Sequence, residues 1–317
     1  MNNETYLVTG AMGCIGAWVL YHLVKDGKQA VSFDLSEDRH RLNLLLTPEE
    51  QQKITFVQGD LTDTAQLLET FETHGITHVI HLAALQVPFC KADPVLGARV
   101  NVVGTVNIFE GARQTNINHL AYASSIAVYG PADLYPTGPL AHDARPAPRT
   151  LYGVYKNANE GTAQVYWHDH QISSIALRPY TVYGVGRDQG LTSEPTKAML
   201  AAASGQSFDI SFGGVMQLQL ASDVAHNFVE AARHPFEGAE VFNYGTNPVA
   251  ISTIVEMIQA AVPEVEITYQ DVPLPFPEAF DGSALAAQLP NLSKTSLREG
   301  IQDTIARFKE CLARGVL

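Results

Sequence analysis

Tyr152-Gly-Val-Tyr-Lys156 sets a phenol and an ammonium four residues apart, which on a helix puts both on one face, within reach of a single bound ligand. A free tyrosine titrates near 10, so its use as a base at neutral pH requires about 3–4 kcal/mol of preferential stabilisation of the phenolate. A lysine cation supplies energy of that order in a dry cleft. Upstream, Ser124 and Ser125 follow the apolar run His119 to Ala123. A hydroxyl at the end of such a strand, from Ser124 or Ser125, can hold the oxygen that Tyr152 deprotonates. Tyr21 and Lys25 share the spacing. They fall on the first helix of the chain, where packing occupies them, and are read as structural.

A second constellation stands at the N-terminal end. Thr9-Gly10-Ala-Met-Gly13-Cys14-Ile15-Gly16 lies between the apolar run Tyr6-Leu7-Val8 and the helical spacing of Ile15, Val19, Leu20, Leu23 and Val24. Missing side chains let the backbone bend and approach a pyrophosphate. The free N–H groups and positive dipole end of the following helix would face its charge. Asp34 ends the next apolar run, where a carboxylate accepts hydrogen bonds from the adenosine ribose and repels a 2′-phosphate. NAD is therefore expected rather than NADP, although Arg39, His40 and Arg41 lie close enough in sequence to keep the alternative open. Asp60 in Gly59-Asp60-Leu61 follows the third run and is placed to reach the adenine.

The elements that position these groups follow from period. Apolar runs Ala30 to Phe33, Ile54 to Val57, His78 to Leu82, His119 to Ala123 and Ile172 to Leu177 alternate with helical candidates near residues 16–26, 62–74, 95–115 and 151–169. Alternation of this kind implies an α/β fold with a doubly wound parallel sheet covered on both faces. Beyond Arg178 the rhythm loosens into a smaller lobe. Residues 1–180 are expected to form the cofactor-binding domain, with 215–247 returning to it, and 181–214 and 248–317 an interleaved substrate lobe.

Composition bounds the rest. The 317 residues are 46% hydrophobic and 17% charged, ample for a large core, and 20 Lys+Arg against 33 Asp+Glu give a net charge of -13. That charge repels nucleic acid and anionic bilayers, so neither is an expected partner. Cys14, Cys90 and Cys311 are too far apart for a disulfide framework or a zinc site, which suits a reducing, cytoplasmic setting. The polar segment Met1 to Thr5 is no export signal, and no run approaches the roughly 18 apolar residues of a membrane span. His74, His78 and His81, like His168 and His170, do not share a face, and no metal is expected.

With these motifs in place, the chain resembles the extended short-chain dehydrogenase/reductase superfamily, in its NAD-dependent epimerase/dehydratase group, over nearly its whole length. The resemblance also rests on His81-Leu-Ala-Ala84, Asn101-Val-Val-Gly104-Thr105, Ser124 to Gly130, Leu177-Arg-Pro179 and Ser222-Asp223-Val224-Ala225. It implies a Rossmann-type fold, with Ser125 orienting the substrate, Tyr152 as acid/base and Lys156 as both pKa modifier and ribose ligand. It further implies that Gly10, Gly13, Cys14, Ile15, Gly16, Asp34, Asp60, Leu61, Leu82, Ala83, Ala84 and Asn101 line NAD, and that Pro179, Tyr180 and Thr181 pass beside the nicotinamide. A homodimer through the apolar helix Val95 to Ala112 and the catalytic helix is the family habit, and is expected here.

Departures from the UDP-galactose 4-epimerases concern the substrate. Where those enzymes carry an asparagine and two arginines for the nucleoside diphosphate, this chain has Thr181, Met216 and the stretch Asp271 to Pro277. Arg233 is the only arginine between Asp188 and Leu297, so a diphosphate lacks its usual bidentate partners. Locally the catalytic segments look like the short-chain L-threonine dehydrogenases. The expected function is therefore NAD-dependent oxidation, or oxidation and re-reduction, of a hydroxyl-bearing carbon in a small sugar, sugar acid or hydroxy acid, with Gln86, Ser125 and Arg187 as substrate contacts. A nucleotide-sugar epimerase or dehydratase is the alternative of the same class. A non-enzymatic NAD-sensing regulator is the alternative of another class, disfavoured by the retained Tyr/Lys pair.

Overall fold

The computed structural model describes residues 4–317; Met1–Asn3, part of the polar N-terminus, lie outside the described residues. Twelve strands are described: β1 Thr5–Thr9, β2 Gln29–Asp34, β3 Ile54–Gln58, β4 His78–His81, β5 Leu120–Ala123, β6 Ser174–Arg178, β7 Thr181–Tyr183, β8 Phe208–Ile210, β9 Val215–Leu220, β10 Ala239–Asn243, β11 Pro248–Ala250 and β12 Ile267–Tyr269. Seven of them form one parallel sheet in the order β10-β6-β5-β4-β1-β2-β3. The chain is thus a Rossmann-type α/β fold.

Every residue of β1 is buried, and alternate side chains feed opposite cores. Tyr6 and Val8 join the apolar cluster built with the helices Cys14–Lys25 and Ala221–Arg233. Leu7 joins the one built with Phe71, Phe109 and Ala163 from helices on the other face. Burial on both faces is why these strands read as unbroken apolar runs rather than as alternating ones. Strand order reverses between β1 and β4, and ligands of open parallel sheets gather in the crevice at the carboxyl ends of such a pair. Thr9-Gly10 and His81-Leu82 stand there.

After β6 the chain steps through Pro179-Tyr180 into a second sheet, β11-β9-β7, in which β7 runs parallel and β11 antiparallel to β9. Two glutamines on β9 hold this step in place. Gln219 Oε1 accepts from the Tyr180 N–H at 2.9 Å, and Gln217 Oε1 accepts from the Phe280 N–H at 3.0 Å. β10 then returns to the edge of the main sheet beside β6, while β12 and β8 form a separate parallel pair. Short elements such as the helices His40–Leu45, Val87–Ala92 and Ser283–Gln288 span only six residues each, too few for a periodic signal.

Candidate active site

The helix Leu151–His170 carries the phenol and the ammonium. Thr150 caps it, its Oγ1 accepting from the Gly153 N–H at 3.0 Å, so Tyr152 sits in the first turn. Ser125 begins the short 3-10 turn Ile126–Val128, its Oγ accepting from the Ala127 N–H at 3.1 Å. Gly153 brings the two segments together, since a Cβ there would stand 2.0 Å from the Ala127 carbonyl oxygen. Gly153→Ala is accordingly expected to push the serine turn off the helix, costing about 1–3 kcal/mol in a denaturant melt and lowering turnover more than NAD affinity.

Burial raises the Tyr152 phenol above its ordinary value, while the Ser125 hydroxyl bonded to it and the Arg187 charge pull it back. Lys156 lies one helical turn on and is 3% exposed. Its Nζ donates to the Ala123 carbonyl at 2.5 Å and stands 5.7 Å from the centre of the Tyr152 ring. Burial lowers its ammonium to about 8, opposed by the Glu160 carboxylate and the Cys90 thiol. The spacing read from sequence thus corresponds to one cluster: Ser125 against the phenol, Lys156 beneath it, Arg187 in the same field. Lys25, by contrast, is bonded to Glu50 and lies over the Tyr21 ring, which itself packs edge-on against Trp18.

One further helical turn places Glu160, to which the sequence reading assigned nothing. Its carboxylate takes Arg178 Nε at 2.8 Å and Arg178 Nη2 at 2.6 Å, and also accepts the Ser124 hydroxyl. Arg178 Nη1 goes on to the Tyr129 hydroxyl at 2.6 Å, and that hydroxyl donates to Asn243 Oδ1 at 2.9 Å. This buried chain joins the catalytic helix to the serine turn, β6 and β10. Its signal was present, because 152, 156 and 160 share one helix face.

Several of the expected cofactor residues stand at the carboxyl ends of β1, β2 and β4. Gly10 adopts φ +65°, and a Cβ on it would stand 2.6 Å from the Ala83 nitrogen. At Gly16 a Cβ would meet the Gly10 carbonyl at 2.2 Å. Two glycines of the three are therefore required by close backbone packing, and Gly13 caps the helix Cys14–Lys25 with no side chain across its N-terminal N–H groups. The Cys14 thiol is raised to about 11 by burial, so it stays protonated. Asp34 accepts from the Met12 N–H at 2.9 Å and from the Ser36 N–H at 2.9 Å. Leu82 extends β4 through its N–H bond to the Thr9 carbonyl, and the exposed Asp60 caps the Thr62 N–H. A backbone this tightly closed, with an uncapped helix end and a carboxylate beside it, fits a dinucleotide.

Other positions are engaged elsewhere. Asn101 is buried, with its amide on the N–H and C=O of Leu85, so the side chain braces the segment that holds Ala83 and Ala84. It lies in a π-turn, Arg99–Val103, that interrupts the helical run near 95–115. Thr181 is fully buried and its Oγ1 has no partner among the described residues. Tyr180 packs against Phe276 and Phe280, and Pro179 offers its carbonyl to the Ile126 N–H. His81 bridges Thr9 and Thr105, and burial first, with the Lys156 charge, lowers it to about 3, so it stays neutral. Among the described residues no three metal-ligating side chains converge.

On the substrate side, Gln86 Oε1 and Arg187 Nη2 end beside the same backbone point, 3.3 and 3.2 Å from where a Gly190 Cβ would stand. Arg187 Nη2 donates to Thr192 Oγ1 at 3.3 Å, and its buried Nε has no partner among the described residues. Met216 is a core residue at 1% exposure. Lys197 and Lys294 are exposed, and Arg233 is tied to Tyr6 and Glu230 near the start of β1.

Comparison with known proteins accords with this geometry. The model of the NAD-dependent epimerase/dehydratase family matches residues 6–245. The UDP-glucose 4-epimerase of Mycolicibacterium smegmatis is 32% identical over 76% of this chain and 76% of its own. Among solved structures, the Thermus thermophilus UDP-glucose 4-epimerase complexed with NAD superposes with a TM-score of 0.80 at 25% identity, covering 96% of this chain and 99% of its own. The L-threonine dehydrogenase of Clostridium difficile shares the fold at TM-score 0.86 and 19% identity, covering 100% of both chains. The match spans 64% of an uncharacterized 37.6 kDa protein of Escherichia coli O111:H- and 39% of an Arabidopsis thaliana UDP-glucuronate 4-epimerase. No helix among the described residues is long and apolar enough to cross a membrane. On the family match and the shared fold, the chain belongs to the NAD-dependent epimerase/dehydratase family of the extended short-chain dehydrogenase/reductases, as an NAD-dependent enzyme.

Proposed function

We propose that the protein oxidises a hydroxyl-bearing carbon of a small sugar acid, sugar or hydroxy acid, using Ser125, Tyr152 and Lys156. NAD, when bound, accepts the hydride from that carbon. Ser125 holds the reacting oxygen, Tyr152 takes its proton, and the buried Lys156 ammonium favours the phenolate and is placed to hold the nicotinamide ribose. Release of the ketone makes the enzyme a dehydrogenase; retention and reduction on the other face make it an epimerase.

The observation that carries the choice of substrate is Arg187, whose charge acts on the Tyr152 phenol and whose buried Nε has no partner among the described residues, while Lys197 and Lys294 are exposed and Arg233 is tied to Glu230. One guanidinium suits one carboxylate. A diphosphate bears about two charges and would find Met216 inside the core where a cation is needed. The test is absorbance of reduced nicotinamide with NAD and a panel of hexuronates, aldonates and hydroxy acids, alongside calorimetry with UDP. A second reading, a nucleotide-sugar epimerase, is favoured by the relatives' names; micromolar UDP binding with no response to the acids would establish it.

We further propose a homodimer. Val95, Leu96 and Val103 remain exposed on one side of the expected four-helix interface, and Leu151, Val154 and Val165 on the other. Light scattering at micromolar concentration should give twice the 34.4 kDa chain mass. A monomer mass contradicts it.

A further inference from the structure

The loop Gly184–Gly190 leaves the second lobe and reaches across to the adenosine side of the crevice. Arg41, on the helix His40–Leu45, receives it there: Nε donates to the Gly186 carbonyl at 3.0 Å and Nη2 to Asp188 Oδ1 at 2.6 Å. Its Nη1 donates to the Met12 carbonyl at 2.9 Å. Met12 is also the residue whose N–H holds Asp34 at 2.9 Å, so this cation and that carboxylate stand on one residue of the glycine turn. His40 is drawn the same way, with Nε2 3.1 Å from Asp188 Oδ2 and Nδ1 2.8 Å from Asp38. The remaining neighbour, Arg39, is stacked on Phe56 at 3.6 Å.

Two arginines and a histidine therefore follow β2, where a 2′-phosphate on a ribose at Asp34 would find them, and all three side chains are engaged. We propose that Asp188 is a specificity-determining residue for the cofactor: by holding Arg41 and His40 it keeps both from a 2′-phosphate, so NADP is refused from the substrate-side loop as well as by Asp34. The inference rests on the reading that Asp34 receives the adenosine ribose. It follows from the electrostatics of one pair, since a guanidinium bonded to a carboxylate has its charge compensated and its donors occupied. Freed of Asp188, Arg41 keeps its anchors at Met12 and Gly186 and regains a donor and a net charge on the glycine-turn residue that also holds Asp34.

The test is calorimetric titration of the full chain with NAD and with NADP, without substrate, in Asp34→Ser, Asp34→Ser/Asp188→Asn and Asp34→Ser/Asp188→Asn/Arg41→Gln. Asp188 is exposed, so thermal melts should show all three folded. Asp34→Ser should lower the ratio of NADP to NAD dissociation constants. Adding Asp188→Asn should lower it about tenfold more, as one freed charge-assisted contact supplies, and Arg41→Gln should restore it. A ratio that Asp188→Asn leaves unchanged, or a fall that survives Arg41→Gln, overturns the proposal. If Asp34→Ser itself changes nothing, the ribose assignment falls and the proposal falls with it.

Discussion

Tyr152→Phe should lower turnover by about 10²- to 10⁴-fold while NAD still binds, because the substitution removes one oxygen at the point of proton transfer and leaves the packed ring in place. Steady-state rates with calorimetry on the same sample check both halves. Lys156→Met should behave differently. It removes the cation beneath the phenol and the donor to the Ala123 carbonyl together, so both NAD affinity and turnover should fall. Loss of NAD binding in Tyr152→Phe, or turnover within a factor of a few of the parent, would show that the phenol is not the proton acceptor.

The second large effect is on stability. Glu160→Ala strands the Arg178 guanidinium, whose side chain is 5% exposed, and a buried charge that loses its partner typically costs about 3–5 kcal/mol. Chemical denaturation should show a loss of that size. Replacing both partners by methionine should recover most of it, since an apolar pair of similar volume avoids the desolvation cost. Turnover should not recover with it. Ser124 would still lack the carboxylate that fixes it beside Ser125, and Tyr129 would lack the guanidinium that ties the serine turn to β6. A double variant with both stability and activity restored would make the ion pair purely structural.

The parallel sheet was legible because its strands are buried on both faces and its helices carry an apolar stripe, so β1 through β6 stand out as runs and the crossovers as periodic segments. The second lobe was less so. Strands of three residues, such as β7, β8, β11 and β12, are shorter than any window over which alternation can be counted, and their pairing is set by contacts far apart in sequence. At the candidate site, spacing on one helix face marks Tyr152 and Lys156 as a pair, and the resemblance adds Ser125. Glu160 and Arg178 escaped because a charged residue on a helix or at a strand end is most often solvated. Only the folded chain shows both at under a tenth exposure and bonded to each other. Nothing in the sequence marks Gly153, whose role depends on the Ala127 carbonyl packed against it.

A pH profile of the hydride step in both directions, read as reduced nicotinamide on the enzyme with a substrate that turns over, tests the central claim most directly. Oxidation requires the phenolate of Tyr152 and reduction the phenol. The oxidation rate should therefore rise with pH and the reduction rate fall, the two sharing one apparent pKa that disappears in Tyr152→Phe. Rates that move in the same direction with pH, or a profile that survives Tyr152→Phe, would contradict the assignment of Tyr152 as the group that exchanges the proton.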